Sequence, residues 1–261
     1  MKNVLVTGAA GQLGRCIKKV ASNYKSLSFV FKDSKDLDIT NKEKVDAFFI
    51  SGNFDFCINC AAYTNVDDAE RFPEMAYAVN ADGVKCLAEA CSSNDVKLIH
   101  ISTDYVFDGT KQSPYLPEDV PNPINAYGKS KLRGEKYIQE FLEQYYIVRT
   151  SWLYSEYGNN FYNTILKKAK TEKKLSITTD QIGCPTNANN LALFLMGFLK
   201  AAIKPYGIYH FTDGEAMTWY EFAARILREN RMDDVVRLEK VKNYRTFAVR
   251  PKNSVLKIRH D

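Results

Sequence analysis

The chain has 261 residues, of which 45% are hydrophobic, so it is long enough for one large α/β domain or for a domain with an added lobe. The 36 basic and 31 acidic residues leave a formal net charge of only +5, and the lysines are scattered along the chain, which argues against a nucleic-acid-binding protein. No apolar run is long enough to cross a bilayer, and a strand signal stands where a signal peptide would lie. We therefore expect a cytoplasmic protein that does not attach to membranes.

The six cysteines indicate reduced thiols rather than a metal site. Cys57 and Cys60 have the spacing of a metal-binding pair, but they lie in an apolar run that is typical of a strand, F-C-I-N-C-A-A. Residues three apart on a strand point to opposite faces, so these two thiols are poorly placed to hold one ion. Buried reduced cysteines also fit a cytosolic protein.

The N-terminal segment has the pattern of a dinucleotide-binding turn. Residues 4–6 form a short apolar run typical of a buried strand, and a helical pattern begins near Gln12. Gly8, Gly11 and Gly14 follow the strand in the spacing G-x-x-G-x-x-G. The first glycine permits a tight turn, the second lets backbone N–H groups approach a pyrophosphate, and the third lets the helix pack on the strand. The helix N-terminus adds partial positive charge where the phosphates would lie.

Strand and helix signals then alternate as far as residue 150, which predicts βαβ units and a parallel sheet. Further strands are expected at 27–31, 54–62, 97–102 and 145–150. Helices are expected from a capping box formed by Thr40 and Glu43 to about residue 50, over 73–94 and over 125–144. The predicted fold is a Rossmann-like, doubly wound α/β domain over residues 1–150, with ligands at the carboxyl ends of the strands.

Residues 151–261 are less regular and predict mainly a smaller C-terminal substrate-binding lobe, with some segments returning to the Rossmann core. Helices are expected near 160–171, 187–203 and 219–230. The last of these begins at a second capping box, formed by Thr218 and Glu221. Short strands are expected at 175–178 and 208–211.

Tyr127, Lys131 and Thr103 carry the chemistry that the sequence predicts. Tyr127 and Lys131 are four apart in a predicted helix, so they lie on one face about one turn from each other. The positive charge of the lysine is expected to lower the pKa of the tyrosine from its usual value of about 10. The hydroxyl of Thr103, at the end of a predicted strand, is able to hold a carbonyl oxygen beside that tyrosine. With a hydride carrier alongside, these groups predict reduction of a ketone or oxidation of an alcohol.

Five longer motifs extend this pattern: S-T-D-Y-V-F-D-G (102–109), Y-G-K-S-K-L-x-G-E (127–135), R-T-S-W-L-Y (149–154), G-N-N-F (158–161) and R-P-K-N-S-x-L (250–256). Together they resemble the extended short-chain dehydrogenase/reductase family and, within it, the dTDP-4-dehydrorhamnose reductase family. The resemblance implies NAD(P)H-dependent reduction of the C4 ketone of a nucleotide-linked deoxysugar, dTDP-4-dehydro-L-rhamnose, to dTDP-L-rhamnose. Two alternatives stay open: a reductase of another sugar nucleotide, and a non-catalytic NADP-binding regulatory subunit.

The resemblance also assigns roles to residues. Thr103, Tyr127 and Lys131 match the catalytic residues: the tyrosine donates the proton, the threonine hydrogen-bonds the developing alkoxide, and the lysine holds the nicotinamide ribose. Besides Tyr127 and Lys131, the positions that match cofactor-binding residues are Gly8, Gly11, Gln12, Leu13, Gly14, Asp38, Ile39, Ala61 and Ala62. The positions that match substrate-binding residues are Thr64, Val66, Thr103, Trp152, Asn160 and Arg250. The arginine suits the diphosphate because a guanidinium fork fits phosphate oxygens.

The end of the second predicted strand bears on which cofactor is used. A carboxylate alone, such as Asp33, favours the free 2′-hydroxyl of NADH, whereas Lys32 and Lys35 are able to accept the 2′-phosphate of NADPH. We expect NADPH, with NADH as a second option. Some family members bind Mg²⁺ through glutamates at a dimer interface, but Cys16 and Asn189 stand at the matching positions, so no metal site is expected. A homodimer remains one option.

Several residues near the predicted site have ordinary structural explanations. Asp104 is expected to order the loop at the strand end rather than to act as an acid. His100 fits a hydrogen-bonded core histidine, and Asn80 fits either a backbone contact near the site or packing on a helix surface. Trp152 suits packing in the core as well as contact with substrate.

Overall fold

The structure, a computed structural model, describes residues 1–200 and 205–258. Its strands are β1 (Lys2–Thr7), β2 (Leu27–Lys32), β3 (Phe56–Asn59), β4 (Lys97–Thr103), β5 (Tyr145–Thr150), β6 (Leu153–Tyr154), β7 (Lys174–Thr178), β8 (Ile182–Gly183), β9 (Thr186–Asn187), β10 (Gly207–His210), β11 (Met217–Thr218) and β12 (Arg237–Val241).

The α-helices of the described residues are α1 (Gln12–Ala21), α2 (Lys42–Gly52), α3 (Val66–Arg71), α4 (Pro73–Tyr77), α5 (Gly83–Ser93), α6 (Ala126–Phe141), α7 (Phe161–Ala169), α8 (Ala188–Lys200) and α9 (Trp219–Glu229). A π-helical segment (Ala78–Asp82) joins α4 to α5, and a 3-10 turn (Asp104–Val106) follows β4. Across the described residues, no helix has both the length and the apolar character needed to cross a membrane.

The central sheet has six strands in the order β10-β5-β4-β3-β1-β2, and every neighbouring pair is parallel. The chain passes from β1 outward to β2 and then returns to place β3 on the other side of β1. This reversal confirms the predicted Rossmann-like, doubly wound α/β fold. It also opens a crevice at the carboxyl ends of β1 and β3, where such folds bind ligands.

Alternating side chains of the strands form a core on each face of the sheet. Val4 and Val6 point to one face, where they pack with Ile17 of α1 and Leu195 of α8. Leu5 points to the other face, in a core that α2, α5 and α6 cover. Because both faces are buried, β1 is an apolar run rather than a half-polar strand.

A smaller apolar cluster lies around α7, α9, β7 and β12. The buried residues of α9 recur at helical spacing, from Phe222 to Ile226, so one stripe of this helix faces the cluster. Its N-terminus carries the predicted capping box: the Glu221 N–H donates to the Thr218 hydroxyl, and the Thr218 N–H donates to the Glu221 carboxylate. Two other elements of the C-terminal half pack on the sheet instead, since β10 pairs with β5 and α8 covers α1.

Some local expectations are wrong. The capping box predicted at Thr40 and Glu43 is absent: Asn41 caps α2 by accepting a hydrogen bond from the Lys44 N–H, while the Thr40 hydroxyl donates to Asp38. The helix predicted at 73–94 is interrupted by the π-helical segment, and α3, too short to show a periodic pattern, precedes it. Residues 201–203 of the helix predicted at 187–203 lie outside the described residues.

A buried ion pair joins α6 to β5. Arg149 Nη2 lies 2.7 Å from Glu135 Oε2, and Arg149 Nε donates to Glu135 Oε1 over 3.0 Å. The side chains are only 2% and 1% exposed, respectively. Ser102 of β4 donates a further hydrogen bond to the same carboxylate. The pair and its hydrogen bond with Ser102 therefore fix α6 against β5 and β4, and β4 ends at the predicted catalytic residue Thr103.

Replacing Glu135 with alanine is expected to destabilise the fold strongly, because Arg149 is left buried and unpaired. The expected loss in the free energy of unfolding is about 3–5 kcal/mol, measured by urea denaturation. Glu172→Ala is the matched control, since it removes an exposed ion pair with Lys168 and is expected to cost less than about 1 kcal/mol. Equal losses in the two variants would contradict this role of the buried pair.

Candidate active site

The glycine turn after β1 brings two backbone segments together at the crevice. Gly8 has a φ of +65°, and a Cβ at this position would lie 2.5 Å from the Ala61 nitrogen. Gly14 is equally confined, because a Cβ there would lie 2.6 Å from the Gly8 carbonyl oxygen. Gly11 is the N-cap of α1, so the first backbone N–H groups of that helix lack helical partners at the crevice. Backbone N–H groups at a helix N-terminus suit an anion such as the predicted pyrophosphate.

Thr103, Tyr127 and Lys131 come together at the same edge of the sheet. Thr103 ends β4, and the other two residues lie in the first turns of α6, which Asn125 caps by accepting a hydrogen bond from the Gly128 N–H over 2.8 Å. All three residues line one cavity of about 420 Å³, together with part of the glycine turn. A volume of this size suits the reacting part of a small-molecule substrate beside a cofactor.

The side chain of Tyr127 is a neutral phenol near neutral pH. Burial raises the pKa of Tyr127 to about 12, against a smaller opposing effect of a hydrogen bond with Thr103. The expectation that Lys131 lowers the pKa of this tyrosine is therefore wrong for the protein alone, because the cost of burying a phenolate dominates. A phenol that keeps its proton suits the role of proton donor in a reduction.

Lys131 is buried together with its polar partners. Its ammonium donates to the carbonyl oxygen of Ile101 over 2.6 Å and lies 3.3 Å from His100 Nε2. Burial lowers the pKa of Lys131 to about 8, and the nearby carboxylate of Glu135 acts in the opposite direction. The lysine is therefore close to its titration point near neutral pH.

The tautomer of His100 follows from the hydrogen bonds around Asn59. Asn59 Oδ1 accepts from the Thr7 hydroxyl over 2.7 Å and from the Ala61 N–H over 3.0 Å. The amide nitrogen of Asn59 is thus left to donate to His100 Nδ1, over 3.0 Å, which puts the imidazole proton on Nε2. His100 is the hydrogen-bonded core histidine that was expected, and in this tautomer its Nε2–H faces Lys131.

A hydrogen bond to Asp104 fixes the hydroxyl of Thr103. The threonine hydroxyl donates to Asp104 Oδ1 over 3.1 Å and accepts a hydrogen bond from the Tyr105 N–H over 3.2 Å. Asp104 begins the 3-10 turn after β4, which agrees with the expected role in ordering this loop. Asp104 is also part of the cavity lining.

Asn80 lies in the π-helical segment and joins α6 to the loop after β3. Its amide donates to the Tyr63 carbonyl oxygen and to the Ser130 hydroxyl over 2.9 and 3.0 Å, and its oxygen accepts from the Tyr63 N–H over 2.9 Å. Gly134 permits this approach, since a Cβ there would lie 2.2 Å from the Asn80 carbonyl oxygen. Asn80 therefore makes the expected backbone contact near the site rather than only packing on a helix surface. The π-helical segment that carries it is of a kind often found at functional sites.

Half of the predicted cofactor positions line the cavity. Those that line the cavity are Gly11, Gln12, Leu13, Ala62, Tyr127 and Lys131. The others are not part of its lining: Gly8, Gly14, Lys32, Asp38, Ile39 and Ala61. Among these, Lys32 at the end of β2 places its ammonium over the Phe48 ring, 5.3 Å from the ring centre, and Asp33 accepts hydrogen bonds from two backbone N–H groups of its own turn. Ile39 is buried and Asp38 is exposed.

The predicted substrate positions divide into two groups. Those that line the same cavity are Thr64, Thr103, Trp152 and Asn160. Asn160 also caps α7 and donates to Gln12 Oε1 over 2.6 Å, so it ties α7 to the start of α1. Val66 begins α3 outside the cavity lining. Arg250 lies at a different cavity, where its guanidinium binds both carboxylate oxygens of Asp67 over 3.1 and 2.9 Å.

This second cavity, of about 510 Å³, lies between α7, β7 and the C-terminal segment that carries Arg250. Its lining includes the basic side chains of Lys168 and Lys174 as well as the aromatic ring of Tyr244. Phe161 and Trp219 line both cavities, so the two are neighbours across one wall. Basic and aromatic groups beside a polar reaction cavity suit a ligand with a charged part and a planar ring.

Trp219 of that wall stacks on Trp152, which lines the first cavity. The rings of Trp152 and Trp219 lie parallel, with centres 3.4 Å apart and an angle of 3° between them. Trp152 has a left-handed backbone with a φ of +45°, which is uncommon for a bulky residue and is often found at functional sites. Gly183 leaves room for its indole, because a Cβ there would lie 2.5 Å from the ring, and Trp219 Nε1 donates to Gln181 Oε1 over 2.8 Å.

The residues that the sequence did not single out for the site are mainly Asn59, Gly183 and Trp219. Trp219 follows a capping box, a pattern that predicts where α9 begins but not which ring it stacks against. Asn59 lies in an apolar strand, and the sequence feature that marks it is a polar side chain within a buried run. Because these contacts join segments that are far apart in the chain, no local pattern indicates them.

Comparisons with known proteins identify the family of the chain. The family model for the RmlD substrate binding domain matches residues 1–260. The dTDP-4-dehydrorhamnose reductase of Aggregatibacter actinomycetemcomitans is 41% identical, with 98% of this chain and 90% of that protein covered. The enzyme of the same name from Escherichia coli strain K12 is 38% identical, with 97% and 89% covered.

Among solved structures, the dTDP-4-dehydrorhamnose reductase of Bacillus anthracis in complex with NADP superposes with a TM-score of 0.95 at 38% identity, covering 99% of this chain and 92% of that one. The UDP-glucose 4-epimerase of Thermus thermophilus shares the fold, with a TM-score of 0.80 at 19% identity, covering 98% and 90%. The match to the family model extends over nearly the whole chain, and the three dTDP-4-dehydrorhamnose reductases are 38–41% identical to it in sequence. The chain therefore belongs to the RmlD substrate binding domain family, the family of these dTDP-4-dehydrorhamnose reductases.

Proposed function

We propose that the chain is an NADPH-dependent oxidoreductase that reduces the C4 ketone of dTDP-4-dehydro-L-rhamnose to give dTDP-L-rhamnose. The observation that carries this proposal is the meeting of Thr103, Tyr127 and Lys131 in one cavity beside the glycine turn. Relatives that cover nearly the whole chain bear the name of this reductase, and the Bacillus anthracis structure holds NADP.

The cofactor is expected to lie along the crevice from the end of β2 to α6. Its pyrophosphate is placed at Gly11 and the N-terminus of α1, beside a turn in which side chains at Gly8 and Gly14 would collide with backbone. The Lys32 ammonium at the end of β2 is available to the 2′-phosphate, while Asp33 is already occupied by its own turn, which favours NADPH over NADH. When bound, NADPH supplies the hydride for C4 of the sugar.

Tyr127 donates a proton to the ketone oxygen, and its raised pKa keeps that proton in place until the oxygen becomes basic. Thr103 hydrogen-bonds the same oxygen and steadies its developing negative charge. Lys131 lies one turn of α6 further on, where its ammonium is able to hold the nicotinamide ribose and to stabilise the phenolate left after proton transfer.

The substrate is proposed to occupy both cavities, with the sugar beside Thr103 and Tyr127 and the nucleotide in the second cavity. Trp152 and Trp219 at the shared wall contact the link between the two parts. Arg250 reaches the diphosphate by exchanging one or both of its hydrogen bonds with Asp67 for phosphate oxygens. In this arrangement residues 1–150 bind mainly the cofactor, and residues 151–261 bind mainly the substrate.

The direct test is NADPH oxidation with dTDP-4-dehydro-L-rhamnose by the wild type and by Tyr127→Phe. The variant keeps the aromatic ring but has no proton to give, so kcat is expected to fall by about 10²–10⁴-fold. NADPH affinity, measured by fluorescence titration, is expected to stay close to that of the wild type. A wild type that binds NADPH without turning over this substrate would contradict the proposed reaction.

Gly183→Ala is expected to disturb the substrate site without touching the catalytic residues. The added Cβ would lie 2.5 Å from the Trp152 ring, so the stacked rings must separate. Because Trp152 and Trp219 are the only tryptophans of the chain, the change is visible as altered tryptophan emission, together with a several-fold higher KM for the sugar nucleotide. Gly197→Ala is the matched control, as a Cβ there meets nothing within 4 Å. Unchanged emission and KM in Gly183→Ala would rule out this role of the stack.

A further inference from the structure

Asp104 is a buried carboxyl group surrounded by hydroxyl groups from three separate segments. Its side chain lies behind Thr103 and is 2% exposed. Oδ1 accepts from the Thr103 hydroxyl over 3.1 Å, and Oδ2 accepts from the Ser151 hydroxyl, just after β5, over 3.1 Å. Ser254, in the C-terminal R-P-K-N-S motif, gives a third hydrogen bond. The end of β4, the end of β5 and the C-terminal motif thus meet on this carboxyl group.

The partners of Asp104 differ from those of the other buried carboxyl group nearby. Glu135 is neutralised by the guanidinium of Arg149 at 2.7 Å. The recorded side-chain partners of Asp104 within the described residues are hydroxyls, which stabilise a carboxylate less than a cation does. Burial accordingly raises the pKa of Asp104 to about 6, although its three hydroxyl partners act in the opposite direction.

Hydroxyl partners also make the direction of the hydrogen bonds reversible. When Asp104 is ionised, the Thr103 hydroxyl donates to it. When Asp104 is protonated, its own O–H is able to donate to Thr103 Oγ1, and the threonine proton is then free to turn toward Tyr127. The Tyr105 N–H occupies one acceptor position of the threonine in either case, so the oxygen stays in place while its proton turns.

We propose that Asp104 is a proton store for Tyr127, to which it returns a proton through the hydroxyl of Thr103 after each reduction. This inference rests on the proposed function, in which Tyr127 gives its proton to the substrate. The step is balanced by two linked transfers. The Thr103 O–H bond breaks as its proton joins the Tyr127 phenolate, and the Asp104 O–H bond breaks as its proton joins the Thr103 oxygen. One proton has moved from Asp104 to Tyr127, and the resulting carboxylate takes the next proton from water when the product leaves the cavity that Asp104 lines.

The direction of transfer is favourable, since a carboxylic acid gives up its proton more readily than a phenol does. The titratable groups that face Asp104 are Tyr105, Tyr127 and Cys184, and its negative charge raises the pKa of each of them. All three keep their protons near neutral pH, so Asp104 is the group of this cluster that titrates there. The loaded form is present below the pKa of about 6 and is lost as the pH rises through that value.

The test compares one turnover with many turnovers in Asp104→Asn. The amide has nearly the shape of the carboxyl group and keeps hydrogen bonds to Thr103 and Ser151, but it holds no proton to give. Rapid mixing with NADPH and dTDP-4-dehydro-L-rhamnose is expected to show a burst of one NADPH oxidised per site at nearly the wild-type rate. A steady state about 10²-fold slower than that of the wild type is expected to follow. Ser151→Ala is the matched control, because it removes a hydrogen bond to Asp104 without removing the proton, and it is expected to show no burst.

A second measurement uses the wild type alone and does not depend on the variant folding. The steady-state kcat is expected to fall as the pH rises through about 6, while the rate of the first turnover stays constant. The proposal is overturned if Asp104→Asn turns over like the wild type, if its first and later turnovers slow equally, or if the wild-type kcat is flat across this pH range. No turnover by the wild type would instead refute the proposed function, so the two failures are distinguishable.

Discussion

The close approach of Gly8 to the loop after β3 is the constraint on which the site depends. A side chain at Gly8 would press on the Ala61 backbone, and one at Gly14 would press on Gly8, so the turn closes only with glycines. Beside this approach, Asn59 accepts hydrogen bonds from the Thr7 hydroxyl and the Ala61 N–H, and its amide nitrogen is left to contact His100, which lies against Lys131. The cofactor turn and the polar surroundings of Lys131 thus adjoin each other at the ends of β1 and β3.

The polar interior at the carboxyl edge of the sheet contains two kinds of buried acid. The Glu135 carboxylate is matched by the guanidinium of Arg149 and holds α6 against β5, so it is structural. Asp104 has hydroxyl groups as its side-chain partners among the described residues, and burial raises its pKa to about 6. Burial also moves Lys131 toward neutrality and Tyr127 toward its protonated form. The groups proposed to transfer protons are therefore those whose pKa burial shifts, whereas the buried ion pair has a packing role.

The sequence predicts the Rossmann-like sheet and the residues of the catalytic edge because both follow from short-range patterns. Apolar strands, the glycine spacing and a tyrosine four residues before a lysine are all visible within a few turns of chain. The capping box at Thr40 fails because Asn41, a stronger competitor one residue later, takes the N-cap position. The pKa of Tyr127 is misjudged for a related reason, since spacing shows which residue lies nearby but not how far a group is buried. Contacts between distant segments, such as Trp152 on Trp219 or Ser254 on Asp104, depend on the complete fold.

We expect hydride from NADPH to reach C4 of a sugar nucleotide in the cavity where Tyr127 is proposed to supply the proton. Supplying dTDP-4-dehydro-L-rhamnose with NADPH deuterated at C4 of the nicotinamide, and recording the NMR spectrum of the product, measures this transfer. The expected product is dTDP-L-rhamnose with deuterium at C4 and with the hydrogen on the oxygen derived from the medium. A product that carries no deuterium at C4, or the absence of any reduced sugar nucleotide, would contradict this expectation.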